Sequence, residues 1–250
     1  MRLIDLDAAE LREKLQRYLR ADPRYRAVYE YTRRRFDEAA HLVAHNWAHA
    51  YRDTLNAIVI GEAEGADMRI VLPAITMHDI GFLYGADGPT HGAVGADKLA
   101  EFLQEGGVTY PPAMISEIAG CIRTHKGSMH NEKPQGLEAK VVADADMVEK
   151  FGPIGVYQNI RTFAEFNRPL EQTLKRATEI FDLTLETETG RRIAEPGRRF
   201  VATFYEQLTE ATRPYVVEMS RPDGAGARPP VRPADIARTT AGSICRTSEG

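Results

Sequence analysis

At 250 residues and a net charge of −4, the chain is long enough to bury a substantial core. It offers no overall positive field for nucleic acid or an anionic membrane surface. Its 43% hydrophobic and 27% charged residues are those of an ordinary globular protein. Cys121 and Cys245 have neither metal-knuckle spacing nor a disulfide framework, no apolar run is membrane-length, and no secretory leader opens the chain, so a reducing cytoplasm is expected.

Taken in order, Leu11, Leu15 and Leu19 repeat at helical spacing across residues 7–20. Asp22-Pro23 breaks that run, and Pro23 suits the first turn of a second helix, expected to reach about Ala44. The run Arg33-Arg34-Arg35 on it reads as a solvated face, with a phosphate-steering patch as the alternative. Further helices are expected from Trp47 to Ala63 and from Ala66 to about Asp79, the latter apolar enough to be buried. After a Gly-rich loop over Gly81–Pro89, helices follow at 91–105, 111–126, 136–149, 154–166, 169–186 and 190–212, punctuated by Gly106-Gly107, Pro111-Pro112 and Gly152-Pro153. No strand-like alternation is evident, so the class is all-α. From Arg221 onward, Pro, Gly, Ala, Arg, Ser and Thr dominate, a composition expected to leave 221–250 as a disordered tail after a single domain over 1–220.

All seven histidines lie between His41 and His130. His45 and His49 are four apart, with Arg52 one turn on; they share a helical face only if the helix starts early enough, and two such histidines also arise by chance. His78-Asp79 ends an apolar helix, where a buried carboxylate is costly without a cation. Asp144-Ala145-Asp146 follows Val141-Val142-Ala143 on a helix expected to be buried, and the same cost applies; capping or salt bridging suits Asp144 better than Asp146. His49, His78, Asp79 and Asp146 together supply two imidazoles and two carboxylates, a set suited to Mn²⁺, Mg²⁺, Fe²⁺, Co²⁺ or Zn²⁺ with open positions.

The ordered pattern His49-Ala50-Tyr51-Arg52, His78-Asp79 and Asp146 resembles the HD-domain superfamily of metal-dependent phosphohydrolases. The segment from Ala143 through Asp144-Ala145-Asp146 to Gly155 looks like the Asp-Ala-Asp segment of the small bacterial branch. Thr187-Glu188-Thr189-Gly190-Arg191-Arg192-Ile193-Ala194 with Arg198-Arg199-Phe200 looks like that branch's C-terminal helix. The resemblance spans roughly 41–210, with the motif-bearing core at about 41–170. It implies an all-helical bundle with extra N- and C-terminal helices, His49, His78, Asp79 and Asp146 as metal ligands, and His91 and His125 facing the site. Asp53, after the His-x-x-Arg arginine, and Met147 depart from the pattern, neither at a ligand position.

The chemistry so implied is attack of a metal-activated water on phosphorus in a small phosphorylated metabolite, with nucleoside phosphates the first choice of substrate. Asp79 or Asp146 would orient the water, and His91, His125 and Lys126 would contact the phosphate and protonate the leaving group. Arg52 either binds phosphate or pairs with a core acid, the latter preferred. His45 is second to the ligands or touches substrate. Trp47 and Tyr84 are the preferred pocket walls among Trp47, Phe82, Tyr84 and Tyr157, and His41 and His130 read as plain surface. His49, His78, Asp79, His91, His125 and Asp146 could instead hold two metals, as in the diiron oxygenases of the superfamily. The short interval between His125 and Asp146 speaks against this. A third reading is a non-catalytic nucleotide-binding module, which would have no physical need for buried acids beside imidazoles. No nucleic acid polymer or membrane partner is expected; oligomeric state stays open, with a homodimer among the options.

Overall fold

The computed structural model describes residues 7–127 and 132–219. Every element among them is helical: α1 (Ala8–Ala21), α2 (Pro23–Glu38), α3 (Trp47–Glu64), α4 (Met68–Thr76), a 3₁₀ turn (Ile80–Tyr84), α5 (His91–Glu105), α6 (Pro112–Thr124), α7 (Gly136–Glu149), α8 (Pro153–Glu165), α9 (Leu170–Phe181) and α10 (Glu188–Met219). The all-α expectation holds. None of the described helices is long and apolar enough to cross a membrane. One compact unit covers Met1–Thr212 and a second Arg213–Gly250. Of the second, only the last turns of α10 are described, and the tail expected to be disordered lies outside the described residues, as does His130.

The helix starts are written locally. Asp7, Asp22, Asn46 and Asp67 each turn a side-chain oxygen onto first-turn N–H groups, satisfying donors a helix cannot pair internally. Pro23 sits in the first turn of α2, where its missing N–H costs nothing. The core gathers around α3 and α4. Ala57, Ile60, Val71, Ala74 and Ile75 are buried there with Leu99, Phe102, Ile118 and Ile122 from α5 and α6 and Val141, Val142 and Ala145 from α7. α3 packs on both α4 and α7, and α5 lies along α6. Burying three or four apolar faces in one place orients the helices so that their ends converge on one side.

α10 runs from Glu188 to Met219 where 190–212 was expected, and three other differences from the sequence reading have a tertiary cause. α2 stops at Glu38 instead of continuing to Ala44. Residues 43–45 are held by α8: Gln158 donates to the Ala44 carbonyl, Arg161 to the Val43 carbonyl, and Glu165 accepts from the Ala44 and His45 N–H groups. α4 ends at Thr76, so His78 and Asp79 lie in the turn beyond it. α9 ends at Phe181 rather than near 186, and Glu186 and Thr187 give their N–H groups to Asp144 at 2.8 and 2.7 Å. The chain cannot stay helical there and also make those bonds.

The 3₁₀ turn packs so closely on α5 that a methyl group on Gly81 would fall inside the carbonyl of His91. Backbone cannot yield as a side-chain tip can. Gly81→Ala should therefore lower stability by about 3 kcal/mol or more, the upper range for overpacking, as read by urea unfolding. A loss below about 1 kcal/mol would show that the turn and α5 are not locked together.

Candidate metal centre

The first turn of α3 carries His49. Asn46 caps that helix, accepting from the N–H groups of Ala48 at 3.0 Å and His49 at 3.3 Å. His45 consequently precedes the helix and shares no helical face with His49. The break after α4 presents His78 and Asp79, the start of α5 presents His91, the end of α6 presents His125, and α7 presents Asp146. All six side chains are buried.

His78, His91 and His125 are oriented alike. Each has Nδ1 at 2.7 Å from the carbonyl three residues back: Ile75, Gly88 and Ile122 respectively. A carbonyl only accepts, so Nδ1 carries a proton and each ring turns its Nε2 inward. His49 turns the other way round, with Nδ1 at 2.5 Å from Glu149 Oε2 and 3.1 Å from Asp53 Oδ2, and this too leaves Nε2 facing the centre.

Asp79 lies between two imidazole pairs. Its Oδ2 is 3.4 Å from His49 Nε2 and 3.3 Å from His78 Nε2, while its Oδ1 is 3.2 Å from His91 Nε2 and 3.7 Å from His125 Nε2. Asp146 Oδ1 joins the first pair, 3.6 Å from His49 Nε2. The Nε2 atoms of His91 and His125 are 2.9 Å apart, and those of His49 and His78 are 3.4 Å apart. Two lone pairs repel at such distances unless a proton or a cation lies between them. Asp79 Oδ2 and Asp53 Oδ2 are both buried without a hydrogen-bond donor. Orphaned carboxylate oxygens facing inward-turned imidazole nitrogens fit a divalent cation, and the mixed N/O donor set suits Mn, Fe, Co, Zn or Mg. Asp53, His49, His78 and Asp146 form one group of donors close enough for an ion, and His78, Asp79 and His125 form another.

The electrostatics follow from burial set against neighbours. Burial disfavours charge on His49, but Asp53 and Glu149 outweigh it and hold its pKa well above the usual value. Burial is likewise overcome at His78, chiefly by Asp79, which brings it to about 9. His125 goes down instead: burial and the neighbouring His91 and His78 keep it neutral. Asp79 stays ionised despite burial because His78, His49 and His91 surround it, and Asp146 because Lys150 and His49 do. Burial pushes the Asp53 carboxyl up.

Around this centre opens a cavity of about 790 Å³. His45, Phe82, Lys126, Lys150, Phe166 and Arg168 line it together with His49, Asp79, His91, His125 and Asp146. Phe82 stacks on His91 with centroids 4.3 Å apart and lies 4.4 Å from the His45 ring, and Phe166 extends this aromatic wall. Lys150 Nζ sits 2.8 Å from Asp146 Oδ2, and Lys126 Nζ donates to the Gly88 carbonyl at 2.9 Å.

The structure thus brings His49, Asp79, Asp146, His91, His125, Lys126 and His45 to one cavity, with His78 fully buried beside Asp79. It leaves out three residues named from sequence. Trp47 packs edge-on against Tyr29 and near Tyr51, because it opens α3 on the side facing α2. Tyr84 packs against the core with Lys98 over its ring. Asp144 turns away towards Glu186 and Thr187, as its position two residues from Asp146 on a helix requires. Arg52 pairs with Glu149 and reaches Gln158 at 3.2 Å, so it meets a core acid as preferred. The arginine run stays away from the cavity: Arg33 pairs with Asp37, Arg34 stacks on Tyr31, and Arg35 pairs with Glu105. His41 is exposed.

Three participants escaped the sequence reading. Glu149, three residues after Asp146 and therefore on the same face of α7, could have been found by the buried-acid argument applied to Asp146. Asp53 was noted only as a departure, yet it touches His49. Glu165 holds the backbone N–H of His45 and its Nδ1, the latter at 2.5 Å, from 120 residues away, and no local pattern encodes that pairing.

The model of the HD domain matches residues 42–150, the stretch that holds all six inward-facing side chains. Residues 42–150 therefore carry an HD domain. The chain is 26% identical over 174 residues to the uncharacterized protein YpgQ of Bacillus subtilis, an alignment covering 66% of this chain and 82% of YpgQ. Its fold is similar to that of a protein from Lactobacillus plantarum (TM-score 0.61, 19% identity, 76% of this chain and 97% of the other). It is similar also to YpgQ solved in complex with ADP (TM-score 0.54, 21% identity, 75% and 97%) and to an HD-superfamily hydrolase from Bacillus thuringiensis (TM-score 0.53, 21% identity, 76% and 96%).

Proposed function

We propose that this HD-domain protein is a metal-dependent phosphohydrolase acting on a small phosphorylated metabolite, a nucleotide being the first candidate. The observation that carries the reading is Asp79, a buried carboxylate lying between two pairs of inward-turned imidazoles beside a cavity lined with lysine and arginine. The ADP complex of YpgQ supports a nucleotide-sized ligand, and the cavity volume matches one.

His49, His78, Asp79 and Asp146 would hold a divalent metal, and His91 and His125, beside the other oxygen of Asp79, would contact the phosphate. The bound metal supplies Lewis acidity and a nucleophile active at neutral pH. Glu149 fixes the His49 ring through Nδ1 and is itself tied to Arg52, so the ligand nitrogen is aimed before anything binds. Lys150 tethers Asp146, and Lys126, at the mouth beside Gly88, is placed to neutralise phosphoryl oxygens and donate to the departing one. The aromatic wall of Phe82 and Phe166 excludes water from one side and offers a flat surface to a substrate ring.

Sharing Asp79 between two imidazole pairs is also what a diiron oxygenase needs, and this observation keeps that second reading in view. Metal analysis of anaerobically purified protein, followed by a phosphate-release screen over nucleotides and small phosphoesters, separates the two. Phosphate release with Mn²⁺, or with a redox-silent metal such as Mg²⁺ or Zn²⁺, is the expected result. Two irons per chain with substrate-dependent oxygen uptake and no phosphate release would overturn the hydrolytic reading.

A further inference from the structure

One cation in the cavity has no part in the chemistry described so far. Arg168 follows α8, and its guanidinium lies over the rings of Phe166 at 5.1 Å and Phe163 at 5.9 Å. Stacking on an aromatic face holds the planar group flat without consuming its N–H donors. Among the described residues no carboxylate lies within salt-bridge distance of it. Its Nη2 stands 3.9 Å from where a Cβ on Gly88 would be, beside the Phe166 ring at the same distance. Gly88 is a shared point: its carbonyl accepts from both His91 Nδ1 and Lys126 Nζ, so Arg168 and Lys126 both reach the Gly88 backbone in the wall of the cavity.

The cavity is therefore divided in charge. Its floor holds Asp79, Asp146 and Glu149 among the histidines, with Lys150 bound to Asp146. Its rim carries Arg168, Lys126 and Lys175, the last one α9 turn beyond Gln172 in the same wall. A guanidinium that is partly buried, flat and turned to a cavity is suited to anionic oxygens, because the alternative is desolvation with no compensating partner.

We propose that Arg168, with Lys126, is a specificity-determining anion subsite that takes a second anionic group of the substrate while the first lies at the histidine floor. The inference rests on the reading of the cavity as a phosphate site. It narrows the substrate class to compounds carrying two or more adjacent anionic groups, such as phosphoanhydrides, over simple phosphate monoesters.

The test is a binding measurement, so it does not depend on turnover. Full-length protein loaded with Mn²⁺ is titrated in a calorimeter with inorganic pyrophosphate and, separately, with orthophosphate, at fixed free Mn²⁺. The unaltered chain should prefer pyrophosphate, and Arg168→Gln should reduce that preference about tenfold, the scale of one lost hydrogen bond to a charged group. Arg168→Lys keeps the charge but not the flat fork and should restore part of it. A preference unchanged in Arg168→Gln, or absent from the unaltered chain, overturns the subsite. Loss of phosphate release from every phosphoester, with the Arg168-dependent preference intact, would instead sink the hydrolytic reading and leave the subsite standing.

Discussion

Asp79→Asn should empty the centre. The side chain keeps its volume, but one anionic oxygen becomes an amide NH₂ that cannot ligate a cation, and the remaining carbonyl oxygen can serve only one of the two imidazole pairs it now lies between. Removing one ligand from a four-donor set also leaves His49 and His78 without the carboxylate that draws them together. We expect metal content below one ion per chain after dialysis against the free metal level that saturates the unaltered protein. Phosphate release should fall by at least about a thousandfold, the upper scale for losing a single charge-stabilising group at a reacting centre. Elemental analysis and a phosphate-release assay read the two effects, and far-ultraviolet circular dichroism checks that the helices persist. Full metal occupancy with turnover within about tenfold of normal would place the chemistry elsewhere in the molecule.

Metal uptake should depend steeply on pH, and the sign follows from the protons the metal-free site holds. His49 and His78 have pKa values raised by Asp53, Glu149 and Asp79, in the case of His78 to about 9. A raised folded value means that protonation stabilises the metal-free fold fully below the ordinary histidine range, near 6.5, and that this contribution is lost as pH climbs towards about 9. A cation must displace those same protons, so its affinity rises through that window by about tenfold per pH unit for each proton displaced. Asp79 and Asp146 have depressed values and remain ionised throughout, so they add nothing to the slope near neutrality. Calorimetry at pH 7 in buffers of different ionisation enthalpy should show at least one proton released per metal, shrinking above about pH 9. An affinity flat from pH 6.5 to 9 would show that the imidazoles are not the groups the metal displaces.

Much of this was legible in the chain itself, because the relevant signals are local. Caps at Asp7, Asp22, Asn46 and Asp67 mark helix starts, and apolar periodicity marks which faces turn inward. Buried acids following apolar runs, at Asp79 and Asp146, mark where an uncompensated charge would be too costly to tolerate. Asp79 and Asp146, marked in this way, lie beside His49, His78, His91 and His125, the last two of which only the resemblance to the HD superfamily had implied. That Asp144 and Asp146 do not both face the site follows from helix geometry, since neighbours two apart on a helix point in different directions.

What only the tertiary structure decided is which residues stand behind the first set and which line the space in front of it. Glu165 reaches His45 across 120 positions, Glu149 reaches His49 across 100, and Arg168 comes to Gly88 from beyond α8. Phe82 and Phe166 form the aromatic wall where Trp47 and Tyr84 were expected. Composition and spacing say that a charge or a ring must be accommodated. They do not say by what, because the partner is supplied by the angle at which helices cross, and that angle is fixed by the packing of the whole core.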